Sequence, residues 1–197
     1  EFEGMLYHPC AIMDQPDEWI KTSKIEKNLP VSLWCELKSS RFIFTLPTYF
    51  LKKNESLIEN YFKIFDGLIE EIIKFTFCQL TKPFRIVFDV DSGDQDSYSI
   101  SYPLVLSLNY LNKIFVVDKP TKELIQLLKS LTMISIREGC IDSMTEESLS
   151  HISACSAIKS IWKEFNPLDL INRDFFKSEF DWSFFKVLWD IHTHSNQ

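Results

Sequence analysis

Glycine is scarce in this chain. Four glycines stand in 197 residues, Gly4, Gly67, Gly93 and Gly139, all far apart. Loops that cradle phosphate need close backbone approach and positive φ angles, which glycine supplies at least cost. Scattered glycines therefore exclude a P-loop and a dinucleotide-binding fingerprint. No C-x-x-C pair occurs among Cys10, Cys35, Cys78, Cys140 and Cys155. An odd number of widely spaced cysteines, with no secretory signal in view, argues against a zinc ribbon and a disulfide framework. A reducing, intracellular compartment, cytoplasmic or nuclear, is expected. Runs of 18 apolar residues are missing, so no transmembrane helix is predicted and no membrane partner is expected. A basic stripe is missing too. Lys and Arg number 21 against 28 Asp and Glu, interspersed, for a formal net charge of −7. Direct nucleic-acid binding is not expected from such a balance.

What the chain does have is aromatic mass, with 17 Phe and 5 Trp. Each buried ring removes about 150–250 Å² from water, so a large core is within reach. Cys35 and Cys78 sit in apolar runs, where a thiol acts as a small hydrophobe.

The element pattern comes in blocks. Residues 1–50 are punctuated by Pro9, Pro16, Pro30 and Pro47 and read as an irregular segment with some β structure. Residues 30–37 fit a strand or a short helix, and Arg41–Leu46 reads as a strand. Ser56-Leu57-Ile58-Glu59 matches a capping box, and the apolar spacing from Leu57 to Ile73 predicts one long amphipathic helix over 56–78. Strands are expected at Phe84–Phe88 and Tyr98–Tyr102, around turn chemistry at 91–96, with Leu104–Leu108 and Ile114–Val117 extending an antiparallel meander. Three helices follow. The first opens at Pro120, the second opens on a capping box at Ser143–Glu146 and runs to Phe165, and the third covers Asp181–Ile191. Strands and helices in separate blocks predict an α+β fold. Its expected parts are an N-terminal segment over 1–50 and an α+β core over 51–197, packed as one unit.

Two stretches carry candidate sites. Asp89, Asp91, Asp94 and Asp96 lie within eight residues just after an expected strand. Carboxylates at that density suit a hard cation such as Mg²⁺ or Ca²⁺. Equally, Asp, Ser and Gly are favoured at a solvated hairpin tip for local reasons. The second stretch is dense in aromatics that occupy more than one helical face. Phe176, Phe180, Trp182, Phe185 and Trp189 are its candidate interface residues, since aromatic anchors are typical of protein interfaces. His151 and Cys155, four apart, share a helix face with Ala154, Ile158 and Trp162, which reads as a core face around a satisfied histidine.

Ile86-Val87-Phe88-Asp89-Val90-Asp91 resembles the first motif of the haloacid dehalogenase-like phosphohydrolases, an apolar strand followed by D-x-D. That resemblance implies Asp89 as nucleophile and Asp91 as general acid/base. The family continues Gly-Thr where this chain has Ser92-Gly93.

The expected function is a non-enzymatic protein–protein interaction domain or a subunit of a larger assembly. Its partner would be another protein chain, in a hetero- or homo-oligomer, and no cofactor is expected. The alternatives are a Mg-dependent phosphohydrolase or transferase using the D-x-D pair, and a nucleic-acid-associated complex subunit.

Overall fold

A computed structural model describes residues 8–15, 19, 32–90, 102–138, 143–176 and 179–194; for 137, 138, 143–145, 179 and 180 it describes the backbone alone. Among these residues the fold is α+β, a strand-rich part followed by helices. The chain divides into two compact units, one of residues 1–66 with 81–111, the other of 67–80 with 112–197.

The first unit is built on a five-stranded sheet in the order β1 (Cys10–Ile12), β2 (Trp34–Lys38), β3 (Phe42–Pro47), β4 (Phe84–Asp89), β5 (Leu104–Ser107). Alternation gives the sheet one apolar face: Cys35 and Leu37, Phe42, Phe44 and Leu46, Phe84, Ile86 and Phe88, Leu104 and Leu106 are all buried. The turn between β2 and β3 contains no glycine. Instead the Ser39 hydroxyl accepts from the amides of Arg41 and Phe42, while the Ser39 amide donates to the Phe42 carbonyl.

Helix α1 (Thr48–Lys53) and the long helix α2 (Ile58–Thr76) connect β3 to β4. The first half of α2 lays Phe62 and Phe65 on the sheet. Phe65 meets Phe44 at 4.7 Å between ring centroids and Phe42 at 6.0 Å, in tilted and edge-on geometries. Such pairs add about 0.5–1.5 kcal/mol each beyond area burial. At the border of this layer Arg41 pairs with Asp66. On the opposite face Arg85 reaches over β3 to Glu36 at 2.6 Å.

Three expectations are corrected. The block after residue 84 is no antiparallel meander, because β4 pairs with β5 in parallel, Ile86 opposite Leu104 and Asp89 opposite Ser107. Only β2 and β3 run antiparallel in the sheet. Alternating burial is identical for either strand direction, so the apolar pattern carried no information on direction. The expected strand at Tyr98–Tyr102 falls on residues outside the described ones except Tyr102, which lies ahead of β5. The segment 114–117 is not a strand. Ile114 ends the short helix α3 (Leu111–Ile114), and 115–117 follow it as a loop. The capping box at Ser56 does not form either. Ser56 lies inside a 3-10 turn, Glu55–Leu57, whose N-cap is Asn54. The Asn54 side chain donates back to the Phe50 carbonyl, tying it to the end of α1.

The second unit holds the C-terminal half of α2 and three helices, α4 (Lys122–Glu138), α5 (Ser143–Ile161) and α6 (Glu179–His194). Thr121, not Pro120, caps α4, its hydroxyl accepting from the Leu124 amide at 3.1 Å. Leu124, Ile125, Leu127, Leu128 and Leu131 are buried, as their spacing predicts.

Helix α5 is buried on nearly every side. Its serines are admitted because each finds a partner: Ser150 donates to the Glu147 carbonyl, Ser148 to the Asp181 carbonyl, and Ser153 meets Thr132 on α4. The helix ends at Ile161 rather than Phe165. Beyond it the Trp162 indole donates to the Val117 carbonyl at 3.0 Å, holding the exiting chain. Gly67, on α2, faces Ile161 at the end of α5. An added Cβ would lie 2.8 Å from the Ile161 δ-methyl.

Candidate protein-docking helix

Helix α6 has two apolar faces with different fates. Phe185 and Trp189, four apart and therefore on one side, are 0% and 5% exposed. Phe185 stacks on Trp182 at 5.9 Å and meets Phe176 at 5.1 Å, and its ring lies edge-on to His151 at 6.1 Å. Of the five aromatic interface candidates, Phe176, Phe185 and Trp189 are thus interior residues of their own unit. Trp182 is half-buried beneath the Lys186 ammonium, 5.1 Å from its ring. Phe180 lies in the helix, with its side chain outside the described residues.

The second face is made of Phe184, Val187, Leu188 and Ile191, at i, i+3, i+4 and i+7. Val187 and Ile191 are 56% and 58% exposed, and Phe184 and Leu188 are half-buried. Nothing in the sequence ranked these four above their neighbours. Burial of the first face makes the second visible. Asp181 and Asp190 border it on either side of the helix.

Beneath α6 the aromatic cluster closes over His151. Its ring is fully buried, 4.2 Å from the Phe176 ring centre. Nδ1 lies 2.9 Å from the Glu147 carbonyl, so it carries the proton and donates. Nε2 has no hydrogen-bond partner. The histidine expected to be satisfied is therefore satisfied at one nitrogen only. Burial, then the nearby Lys129 ammonium, push its pKa down to about 3. Cys155 is also buried, and burial raises its thiol pKa, so the pair is neutral core and not a reactive couple. Lys129 itself is paired with Glu147, both nearly buried.

Of the four candidate metal ligands, Asp89 ends β4 opposite Ser107 and is half-buried. Asp91, Asp94 and Asp96 lie outside the described residues. Among the described residues no three His, Cys, Asp or Glu side chains gather around a common point for a metal ion. The four described cysteines are thiols. No helix among the described residues is long and apolar enough to cross a membrane. Comparison with protein-family models, curated proteins and solved structures finds no match to this chain.

Proposed function

We propose that this protein is an interaction module that docks another protein chain along the outer face of α6. The observation behind this reading is the pair Val187 and Ile191, more than half exposed on a helix whose inner face is already filled by Phe185 and Trp189. Sixteen residues of helix present about 24 Å of length, enough for a partner helix to lie alongside. The mode is helix against helix, with i, i+3, i+4, i+7 anchors. The acidic border of Asp181 and Asp190, on a chain of net charge −7, favours a partner helix with basic flanks.

A photo-crosslinking residue at position 187, introduced into the protein and exposed to extract of its own cells, tests the proposal. The expected result is a discrete adduct that disappears in Ile191→Asp and is absent when the probe sits at Lys122, exposed at the start of α4. No adduct, or one indifferent to Ile191→Asp, refutes it. An adduct with a second copy of this chain replaces the basic partner with a homodimer.

A further inference from the structure

The first unit contains an apolar pocket of about 300 Å³ between its edge strand β1 and the start of α2. One wall is Ala11 and Ile12 of β1, with Met13 just beyond the strand. The other is Ile58 and Phe62 of α2, and Trp19 lines the pocket as well. Glu55, Glu59 and Lys63 complete it. We propose that this pocket binds a small arylalkyl ammonium compound, its ring held among Trp19, Ile58 and Phe62 and its ammonium group taken by Glu55 and Glu59.

Burial separates the two roles. Ala11, Trp19, Ile58 and Phe62 are each less than a tenth exposed, so the floor is apolar and its side chains are held by the fold. Glu55, Glu59 and Lys63 are exposed. They stand four residues apart along α2 and the 3-10 turn that leads into it, so they form one row at the rim. A mostly apolar pocket with a few polar groups to one side is the usual make-up of a small-molecule site, and this volume is at the lower end of the range. The matching ligand has a compact apolar body and one polar head.

The rim decides the sign of that head. The side chains of Glu55, Glu59 and Lys63 make no salt bridge or hydrogen bond with one another or with any other described residue. Their charges are therefore open to a ligand. Two carboxylates stand against one ammonium, and the positive end of α2 offsets about half a charge more, so the rim stays negative. Position sharpens the difference. Lys63 lies eight residues beyond Glu55, about 12 Å along the helix. That exceeds the screening length of about 8 Å at physiological salt. A ligand ammonium beside Glu55 and Glu59 meets attraction at close range and screened repulsion from Lys63. A carboxylate in the same place would meet two like charges. Moved beside Lys63, it would still have Glu59 one turn away.

The test is calorimetric and NMR titration of the whole chain with three probes of similar shape, phenethylammonium, 2-phenylethanol and 3-phenylpropionate, each to about 10 mM. The ammonium is expected to bind with a Kd of about 1 mM or below and to shift the amide signals of residues 11–13 and 58–63. The alcohol should bind about threefold more weakly and the carboxylate at least about tenfold more weakly. In Glu55→Gln/Glu59→Gln the ammonium should fall to the affinity of the alcohol, while the alcohol binds as it does to wild type. Both positions are exposed, so this variant is expected to keep the fold. Absence of ammonium binding overturns the proposal. So does alcohol or carboxylate binding as tight as the ammonium's, or ammonium affinity that Glu55→Gln/Glu59→Gln leaves intact. The pocket belongs to the first unit and α6 to the second, so this titration and the crosslink at position 187 stand or fall separately.

Discussion

Acid should loosen this protein through one histidine. His151 is fully buried, tilted against Phe176 and edge-on to Phe185, with no hydrogen-bond partner for Nε2. Its pKa in the fold is about 3 against an ordinary 6.5. Between those values the unfolded chain binds a proton that the native state refuses. The unfolded state therefore carries more protons, and stability falls as pH falls. The contribution is intact above pH 6.5, declines below it and is exhausted near pH 3. Each unit is worth about 1.4 kcal/mol, so the loss by pH 4.5 is roughly 2–3 kcal/mol and the ceiling is on the order of 5 kcal/mol. That is a large part of the 5–15 kcal/mol typical of a folded chain. The perturbation is His151→Leu, which keeps the packing volume near constant and removes the titrating ring. Urea unfolding followed by tryptophan fluorescence, at steps from pH 7.5 to 4.5, reads both proteins. At pH 7.5 the variant should lie within about 1 kcal/mol of wild type, since it loses one local hydrogen bond and one unsatisfied acceptor together. At pH 4.5 it should be the more stable by roughly 2 kcal/mol or more. Carboxylate titrations, and that of His192, are common to both proteins and cancel in the difference. Parallel stability curves across this range would refute the reasoning.

Four further outcomes follow from particular contacts. Gly67→Ala gains about 1 kcal/mol of helix propensity but drives its Cβ against the Ile161 δ-methyl, so thermal melts should show little net change. Adding Ile161→Val removes that methyl, and a double-mutant cycle should show favourable coupling of about 0.5 kcal/mol or more. Lys129→Met removes the ammonium paired with a nearly buried Glu147 carboxylate and should cost up to about 3 kcal/mol in denaturant unfolding, most of it recovered in Lys129→Met/Glu147→Leu. Phe77, 92% exposed with φ 51° just after α2, is in the left-handed region that glycine favours; Phe77→Gly should raise stability by about 1 kcal/mol, read as a higher melting temperature. With a thiol reagent under native conditions Cys10 and Cys78 should react well before Cys35, whose thiol burial pushes up to about 12, and before Cys155; equal rates for all four would contradict the buried positions.

The amphipathic stretch over 56–78 was the most legible part of the sequence, because one buried stripe repeated over many turns outweighs a single central glycine. The helix after Pro120 was legible for the same reason, and the last helix was placed by its apolar density, each to within a few residues at the ends. Helix α5 was placed by its start at Ser143 and by the core face around His151, Ala154 and Ile158, but with nearly every side buried that face did not show how far the burial extends. The aromatic density of 175–189 announced that some rings would be in excess of one core face, but not which ones. Phe185 and Trp189 became core, while the outer stripe passed to the aliphatic Val187 and Ile191.

Local chemistry along the chain thus determined where the long helices form, the α+β class and the apolar supply for a core, because those depend on spacing that every residue carries with it. The tertiary structure alone decided the parallel pairing of β4 with β5, the half-satisfied state of His151 and the meeting of β1 with the start of α2 around one apolar pocket. Each of these depends on which distant segments become neighbours, and neither periodicity nor composition encodes a neighbour's identity or direction.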